Sequence, residues 1–247
     1  MTKKIPHKVL FIVAHPDDES LWVGGLLNFL AKRSEVSPYV FCVTGENDSH
    51  RANEFNTALD IAGITNRLLG SQNITRSHNE KLEGLDRAIP KGIKEMGIDI
   101  KDIDLLITHP FYGDEHKHPN HQQLFFELRS FCDTNNIPFA FFSTCMLPGI
   151  PLTSLQTSMK RHENTHLINF SSSSHDTIKY FTQFKIDSNI KDRMLKSYQS
   201  INQEEHQRYY ASWDSGVEGI YFTDDNGISI FKEIFNNLDR PAGTDLF

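Results

Sequence analysis

The stretch Val9-Leu10-Phe11-Ile12-Val13-Ala14-His15-Pro16-Asp17-Asp18-Glu19 decides the reading of this chain. The apolar run from Val9 to Val13 has the length and continuity of a strand buried on both faces. It ends directly in one histidine and two adjacent carboxylates, ahead of Ser20-Leu21-Trp22-Val23-Gly24-Gly25. That ending offers two ligands for a cation and a third group free to handle protons. Structural needs alone rarely put those residue types there.

Outward from that segment, short β-rich runs alternate with helical patterns. Lys8 to Ala14, Tyr39 to Thr44, Asp104 to Thr108 and Pro138 to Ser143 read as strands, with a weaker one at Arg67 to Leu69. Between them, Ser20 to Arg33, Arg51 to Ala62, Leu85 to Met96 and Pro119 to Asp133 read as helices, Pro119 being suited to a first helical position. Strands alternating with helices imply an α/β fold, a Rossmann-like, mostly parallel sheet flanked by helices. Ligands of such folds sit at the carboxyl ends of the strands. Beyond about residue 145 the pattern changes: Thr165 to Phe170, Thr177 to Ile186, Gly219 to Phe222 and Ile228 to Phe231 read as strands, and Asn189 to Gln207 as one or two helices. Ser171 to Ser174 reads as a turn. No linker or repeat divides the chain, so residues 1–247 are expected to form one domain, with 1–145 as its core and 146–247 as a β/α extension that shapes the pocket.

Composition narrows the partners. With 247 residues, 38% of them hydrophobic, the chain is long enough for one sizeable core. Its 25 basic against 32 acidic side chains give a net charge of −7, which disfavours a nucleic-acid or anionic-membrane binder. Cys42, Cys132 and Cys145 form no C-x-x-C pair and suit a reducing compartment. The apolar stretch from Val9 to Ala14 is too short for a secretory core or a membrane span, so a soluble, cytoplasmic protein is expected; self-association is left open.

A second cluster follows the strand at Asp104: Thr108-His109-Pro110-Phe111-Tyr112-Gly113-Asp114-Glu115-His116-Lys117-His118-Pro119-Asn120-His121. With His118 capping the helix that Pro119 opens, His118 and His121 fall close to one face of its first turn.

The pairing of A-H-P-D-D-E after the first strand with a later H-P-N-H resembles the PIG-L/LmbE family of metal-dependent N-acetylglucosamine deacetylases. Arg51-x-x-Glu54 resembles that family's arginine element, and Lys196-Ser197-Tyr198-Gln199-Ser200 faintly resembles its late helix. The resemblance implies a hydrolase that removes an N-acetyl group from an amino sugar or sugar conjugate, giving a free amine and acetate. It implies His15, Asp18 and His121 as ligands of a zinc ion, with ferrous iron or another divalent metal suiting the same donors. Asp17 would be the general base and His118 the group that steadies the oxyanion or protonates the leaving nitrogen. Arg51, Tyr112 and His116 would meet the substrate, a small N-acetylated sugar. Asn120 stands where the family more often has aspartate. Its amide oxygen is expected to accept a hydrogen bond from His118 without supplying charge, which weakens His118 as an acid and leaves Asp17 to act as base first and acid later.

Each assignment has a plainer reading. Asp17 suits a helix cap, His118 an N-cap, and Arg51 a surface helix. Glu19 and Ser20 are read as serving the helix start, and His109, His116 and Asp114 as mouth or solvated loop residues. Leu124, Phe125, Phe126 and Leu128 are read as core; Tyr209, Tyr210 and Trp213 as packing more readily than as a sugar platform. A noncatalytic metal or small-ligand binder, and an iron enzyme with two histidines and one carboxylate, remain open beside the hydrolase. A dinucleotide-binding enzyme is disfavoured, because the first strand runs into H-P-D-D-E and no G-x-G-x-x-G.

Overall fold

The computed structural model describes residues 5–72, 81–114, 118–144, 180–204 and 216–236. The expected strand at Thr165 to Phe170, the Ser171 to Ser174 turn, His116, Cys145, Tyr209, Tyr210 and Trp213 lie outside those residues. Among the described residues, β1 (His7–Val13), β2 (Val36–Thr44), β3 (Asn66–Gln72), β4 (Leu105–Thr108), β5 (Phe139–Phe142), β6 (Tyr180–Lys185) and β7 (Val217–Phe222) form one sheet in the order β3-β2-β1-β4-β5-β7-β6. β1 to β5 are mutually parallel, and β7 runs antiparallel to both β5 and β6. The chain winds outward from β1 through β2 to β3, then returns to the other side of β1 for β4 and β5. That reversal opens a crevice at the carboxyl ends of β1 and β4, where an open parallel sheet binds its ligands.

Both faces of the sheet are covered. Along β1, Val9, Phe11 and Val13 point into one core and Leu10, Ile12 and Ala14 into the other, as the two-residue strand period requires. The first core is closed by α1 (Asp18–Ala31), α2 (Ser49–Ala62), α5 (Ser188–Lys196) and α6 (Asp225–Asn236). The second is closed by α3 (Leu85–Glu95) and α4 (Pro119–Asn135), to which Leu124, Phe125 and Leu128 contribute buried side chains and Phe126 a partly buried one.

Local chemistry sets the helix ends nearest the crevice. Asp48 caps α2 by accepting from the backbone N–H groups of His50 and Arg51, at 3.0 and 3.1 Å, and Gly63 ends that helix at φ 81°. His118 caps α4 with its ring, accepting the Asn120 N–H at 3.4 Å, and Pro119 opens the helix.

One sequence expectation changes. Ile228 to Phe231 lies inside helix α6, not in a strand: Asp224 accepts the Gly227 N–H at 2.6 Å, and Ile228, Phe231 and Ile234 recur every three residues toward the core. A short apolar run fits either period, and the cap decides. The stretch Asn189 to Gln207, read as one or two helices, holds α5 up to Lys196, so Tyr198 and Ser200 lie in the turn beyond it.

The C-terminal strands grip α1 at its weakest point. Val23 leaves helical geometry at φ −138°, breaking the backbone ladder, and the freed N–H groups of Gly25 and Leu26 donate to the Glu218 carboxylate from β7 at 3.0 and 2.8 Å. Lys191 from α5 lies 3.3 Å from Glu218, both side chains 1% exposed. Burial pushes the Lys191 ammonium down and the Glu218 carboxyl up from their ordinary values, while each partner resists that shift in the other. Gly25 lets the elements meet this closely: a Cβ there would fall 2.3 Å from Ile186 Cβ.

Candidate metal centre

Four histidines and two aspartates meet in the crevice, carried there by the ends of two neighbouring strands. His15 follows β1, and Asp18 opens α1 three residues later. His109 follows β4, and His118 and His121 sit on the first turn of α4. His15 Nδ1 lies 3.2 Å from His121 Nε2 and 3.4 Å from Asp18 Oδ2, and His121 Nε2 lies 3.3 Å from Asp18 Oδ1. Three donor atoms bound tetrahedrally at about 2.0–2.1 Å from one ion would be separated by about 3.3 Å. Two imidazole nitrogens and a carboxylate oxygen suit zinc or ferrous iron and disfavour calcium or magnesium, which take oxygen ligands. Without a metal ion a proton on His121 offsets the Asp18 carboxylate at this spacing, and a bound cation would take that proton's place. The residues therefore fit a first-row divalent ion.

Around this triangle the second ring of contacts is dense. The Asp18 carboxylate accepts the His15 backbone N–H at 2.7 Å and is reached by Trp22 Nε1 at 3.4 Å. Although burial raises its pKa, the His121 and His109 imidazoles hold Asp18 well below the usual carboxylate range. Burial opposes charge on His121, yet Asp18 and Asp114, whose Oδ2 is 3.4 Å from Nδ1, outweigh it and bring that imidazole up to about 10. Asp114 therefore orients His121 as a carboxylate behind a metal-binding histidine does. It also accepts the His118 backbone N–H at 3.2 Å.

His109 and Asp114 were expected at the mouth or in solvated loop, but both are buried. His109 stacks on His121 with ring centroids 3.9 Å apart; its Nε2 accepts the Ala14 N–H at 3.1 Å and lies 3.3 Å from Asp18 Oδ2. Burial and the neighbouring His121 push His109 down to about 4. A signal for it existed in the sequence: Ala14-His15 ends β1 and Thr108-His109 ends β4, and these strands are neighbours.

His118 completes the stack, 4.5 Å from His121 and 4.7 Å from His15 between ring centroids. Burial, with His121 and His15 nearby, pushes it down to about 3. Its expected partner is corrected. The Asn120 side-chain nitrogen lies 3.2 Å from His15 Nε2, and His118 Nδ1 instead accepts the Asn120 backbone N–H. The cap geometry at Pro119 turns the His118 ring inward and leaves the Asn120 amide facing the other strand end.

Asp17 is buried but caps nothing with its side chain. Its backbone sits at φ 126°, a conformation that costs a non-glycine residue about 1–3 kcal/mol. Such strain, held by surrounding structure, is typical of functional turns. Arg51, expected at the substrate, donates to the Pro16 carbonyl at 2.6 Å and reaches Asp17 Oδ2 at 3.4 Å and Ser200 Oγ at 3.2 Å. Glu19, read as a helix-start residue, is fully buried, and burial pushes it up to about 7. Tyr112 packs edge-on against Phe111, and its carbonyl accepts from Gln122 at 3.1 Å.

The profile of the PIG-L family, GlcNAc-PI de-N-acetylase, matches residues 10–132. The 1D-myo-inositol 2-acetamido-2-deoxy-alpha-D-glucopyranoside deacetylase of Corynebacterium diphtheriae is 27% identical over 49% of this chain, which spans half the length of that relative. Among solved structures, the A40926 pseudoaglycone deacetylase Dbv21 superposes with a TM-score of 0.54 at 17% identity, covering 87% of this chain and 96% of that one. A triple mutant of the deacetylase Orf2 from the teicoplanin pathway gives 0.57 at 14% identity, covering 88% and 99%. At those identities the likeness establishes the fold. The family match takes in the strand-end motif at His15 and the helix start at His121, and through residues 10–132 the chain belongs to the PIG-L family.

Proposed function

We propose that this protein hydrolyses the N-acetyl group of an amino sugar or sugar conjugate, using a divalent metal ion, zinc by preference, held by His15, Asp18 and His121. The observation that carries the reading is the clustering of these donors: His15 Nδ1 lies 3.2 Å from His121 Nε2, and the two nitrogens lie 3.4 and 3.3 Å from the two oxygens of the Asp18 carboxylate, beside the second carboxylate of Asp17. Membership of the PIG-L family supports the reaction class, and the named substrate of the Corynebacterium relative supports an N-acetylated glucosamine.

A divalent ion at this site would polarise the amide carbonyl and bring the pKa of a water to about 7. Asp17 would take the proton of the attacking water, a transfer suited to a carboxylate beside the ligand set, and would later return it to the leaving nitrogen. Asp18 and Asp17 divide the work because adjacent residues of one turn project differently. His118 would act as a hydrogen-bond donor to the developing oxyanion. Its Nδ1 accepts the Asn120 N–H, so the proton of the neutral ring resides on Nε2. With its pKa near 3, the ring stays neutral at pH 7 and is a poor general acid but a sound oxyanion partner. Asp114 would keep His121 aligned, and Asn120 would do the same for His15. A soluble glycoside or nucleotide sugar is the preferred substrate class, in keeping with the net acidic charge and with the absence, among the described residues, of a helix able to cross a membrane.

The test is amine release from a panel of N-acetyl sugars by protein supplied with zinc or ferrous iron. Release that requires the metal supports the proposal; an inert protein that has bound the metal refutes it. His118→Ala is expected to keep the ion and lose about 10²-fold or more in turnover. Loss of the ion with that substitution would make His118 a ligand.

A further inference from the structure

The turn that presents Asp17 is pinned from both sides of its strained residue. The Pro16 carbonyl is held by the Arg51 guanidinium, and the Asp17 N–H donates to Glu19 Oε2 at 3.1 Å. The Asp17 carbonyl is already occupied by the first turn of α1, accepting from the Ser20 and Leu21 N–H groups at 3.0 and 2.9 Å. Glu19 is itself immobilised: Oε1 accepts the Ser20 hydroxyl at 2.6 Å and the Tyr198 hydroxyl at 2.7 Å. Tyr198 is fully buried in the turn after α5, 179 residues away in sequence. Its neighbour Ser200 donates its N–H and hydroxyl to Glu54 and receives Arg51 Nη1, so both ends of the Asp17 turn are braced by the same C-terminal segment. An aspartate at φ 126° is strained, and such a conformation persists only where its surroundings hold it; the two anchors lie on either side of it.

We infer that Glu19 and Tyr198 are positioning residues that lock the Asp17 turn, so that the segment after α5 sets the placement of the proposed general base. The inference rests on the hydrolase reading for its kinetic consequence and stands apart from it in its structural one. Glu19 touches no reacting atom; it acts through the Asp17 backbone. Tyr198→Phe removes only the hydroxyl and leaves the packing. Glu19→Ala removes the acceptor of the Asp17 N–H together with the Tyr198 contact and leaves the Arg51 anchor on the Pro16 carbonyl. Glu19→Gln keeps an oxygen to accept the Asp17 N–H and an amide to donate to the Tyr198 and Ser20 oxygens, and is the conservative rescue.

With metal-loaded full-length protein, Glu19→Ala is expected to lower kcat about 10²-fold, the scale of an ångström's misplacement, with KM and metal content unchanged. Tyr198→Phe should lower it about tenfold, and Glu19→Gln should recover most of the loss. The activity-independent readout is amide hydrogen exchange at Asp17, which should accelerate in Tyr198→Phe and Glu19→Ala and return toward the native rate in Glu19→Gln. In an Asp17→Gly background, Glu19→Ala should shift the denaturation midpoint less than in the native background, since glycine takes up φ 126° without help. A wild-type protein that binds metal and releases no amine defeats the hydrolase reading and leaves the exchange and denaturation arms to judge the lock. Native kcat and native Asp17 exchange in Tyr198→Phe and in every folded Glu19 variant would overturn it.

Discussion

Replacing Lys191 with methionine tests how the C-terminal strands hold α1, the helix that opens at Asp18 in the candidate metal site. The substitution leaves Glu218 buried without its cation. Lys191 and Glu218 lie 3.3 Å apart at 1% exposure each, and removing one partner of such a pair costs about 3–5 kcal/mol. Glu218 keeps the Gly25 and Leu26 N–H groups as donors at 3.0 and 2.8 Å, which places the cost near the lower end, ~3 kcal/mol. That is a large share of the 5–15 kcal/mol typical of a folded domain. The pH dependence has a definite sign. Burial already raises the Glu218 carboxyl above its ordinary value of 4.5, and losing Lys191 raises it further, so the folded variant binds the proton more tightly than the unfolded chain. The penalty is therefore small in acid and grows as the pH rises above 4.5. Urea denaturation followed by circular dichroism, at pH 5 and pH 8 as round working values, should show a lower midpoint with an unchanged slope, and a wider gap from wild type at the higher pH. Adding Glu218→Gln to Lys191→Met should restore much of the loss, because no charge is then buried and an amide oxygen still meets one N–H. A shift under about 1 kcal/mol, or one that shrinks as the pH rises, would refute the reasoning.

Other perturbations separate packing, electrostatics and chemistry. Gly25→Ala places a Cβ 2.3 Å from Ile186 Cβ and should cost at least about 1–3 kcal/mol of stability; a neutral midpoint in denaturant would contradict the packing described. Asp17→Gly should relieve about 1 kcal/mol or more of backbone strain, raising the melting temperature while removing turnover; a drop in both would mean that the φ of 126° carries no cost. In metal-free protein, His121 rises from 6.5 to about 10, so the stability its charge lends is fully present below pH 6.5 and lost as the pH climbs toward 10. Metal-loaded protein, which needs that nitrogen unprotonated, should show no such decline, and calorimetry near pH 7 in buffers of differing ionisation enthalpy should find about one proton released per ion bound. Equal pH profiles for the two forms would count against His121 as a ligand.

The parallel core was legible because β1, β4, β5 and the Tyr39 to Val43 part of β2 are apolar runs, and some helix starts carry their own signal, such as Asp48 before α2 or Pro119 in α4. His15, Asp18 and His121 were grouped by the resemblance of A-H-P-D-D-E and H-P-N-H to the PIG-L/LmbE motifs, and the structure brings the three together because β1 and β4 are neighbours. What escaped sequence reasoning depends on the third dimension. Loop residues are ordinarily solvated, so nothing local marked His109 or Asp114 as buried, and only the adjacency of β1 and β4 does so. Glu19 looked like a helix-start acid until Tyr198 arrived from 179 residues away. The Asn120 amide turned to His15, because the His118 ring is committed to capping the helix. The apolar run at Ile228 fitted a strand and a helix alike, and Asp224 chose between them.

The most direct test of the central claim is metal content measured beside turnover in wild type, Asp17→Asn, and a triple variant in which His15, Asp18 and His121 become alanine. A single bound ion in wild type and in Asp17→Asn, none in the triple variant, and amine release by wild type alone is the expected result. An ion retained by the triple variant, or full turnover by Asp17→Asn, would contradict the account.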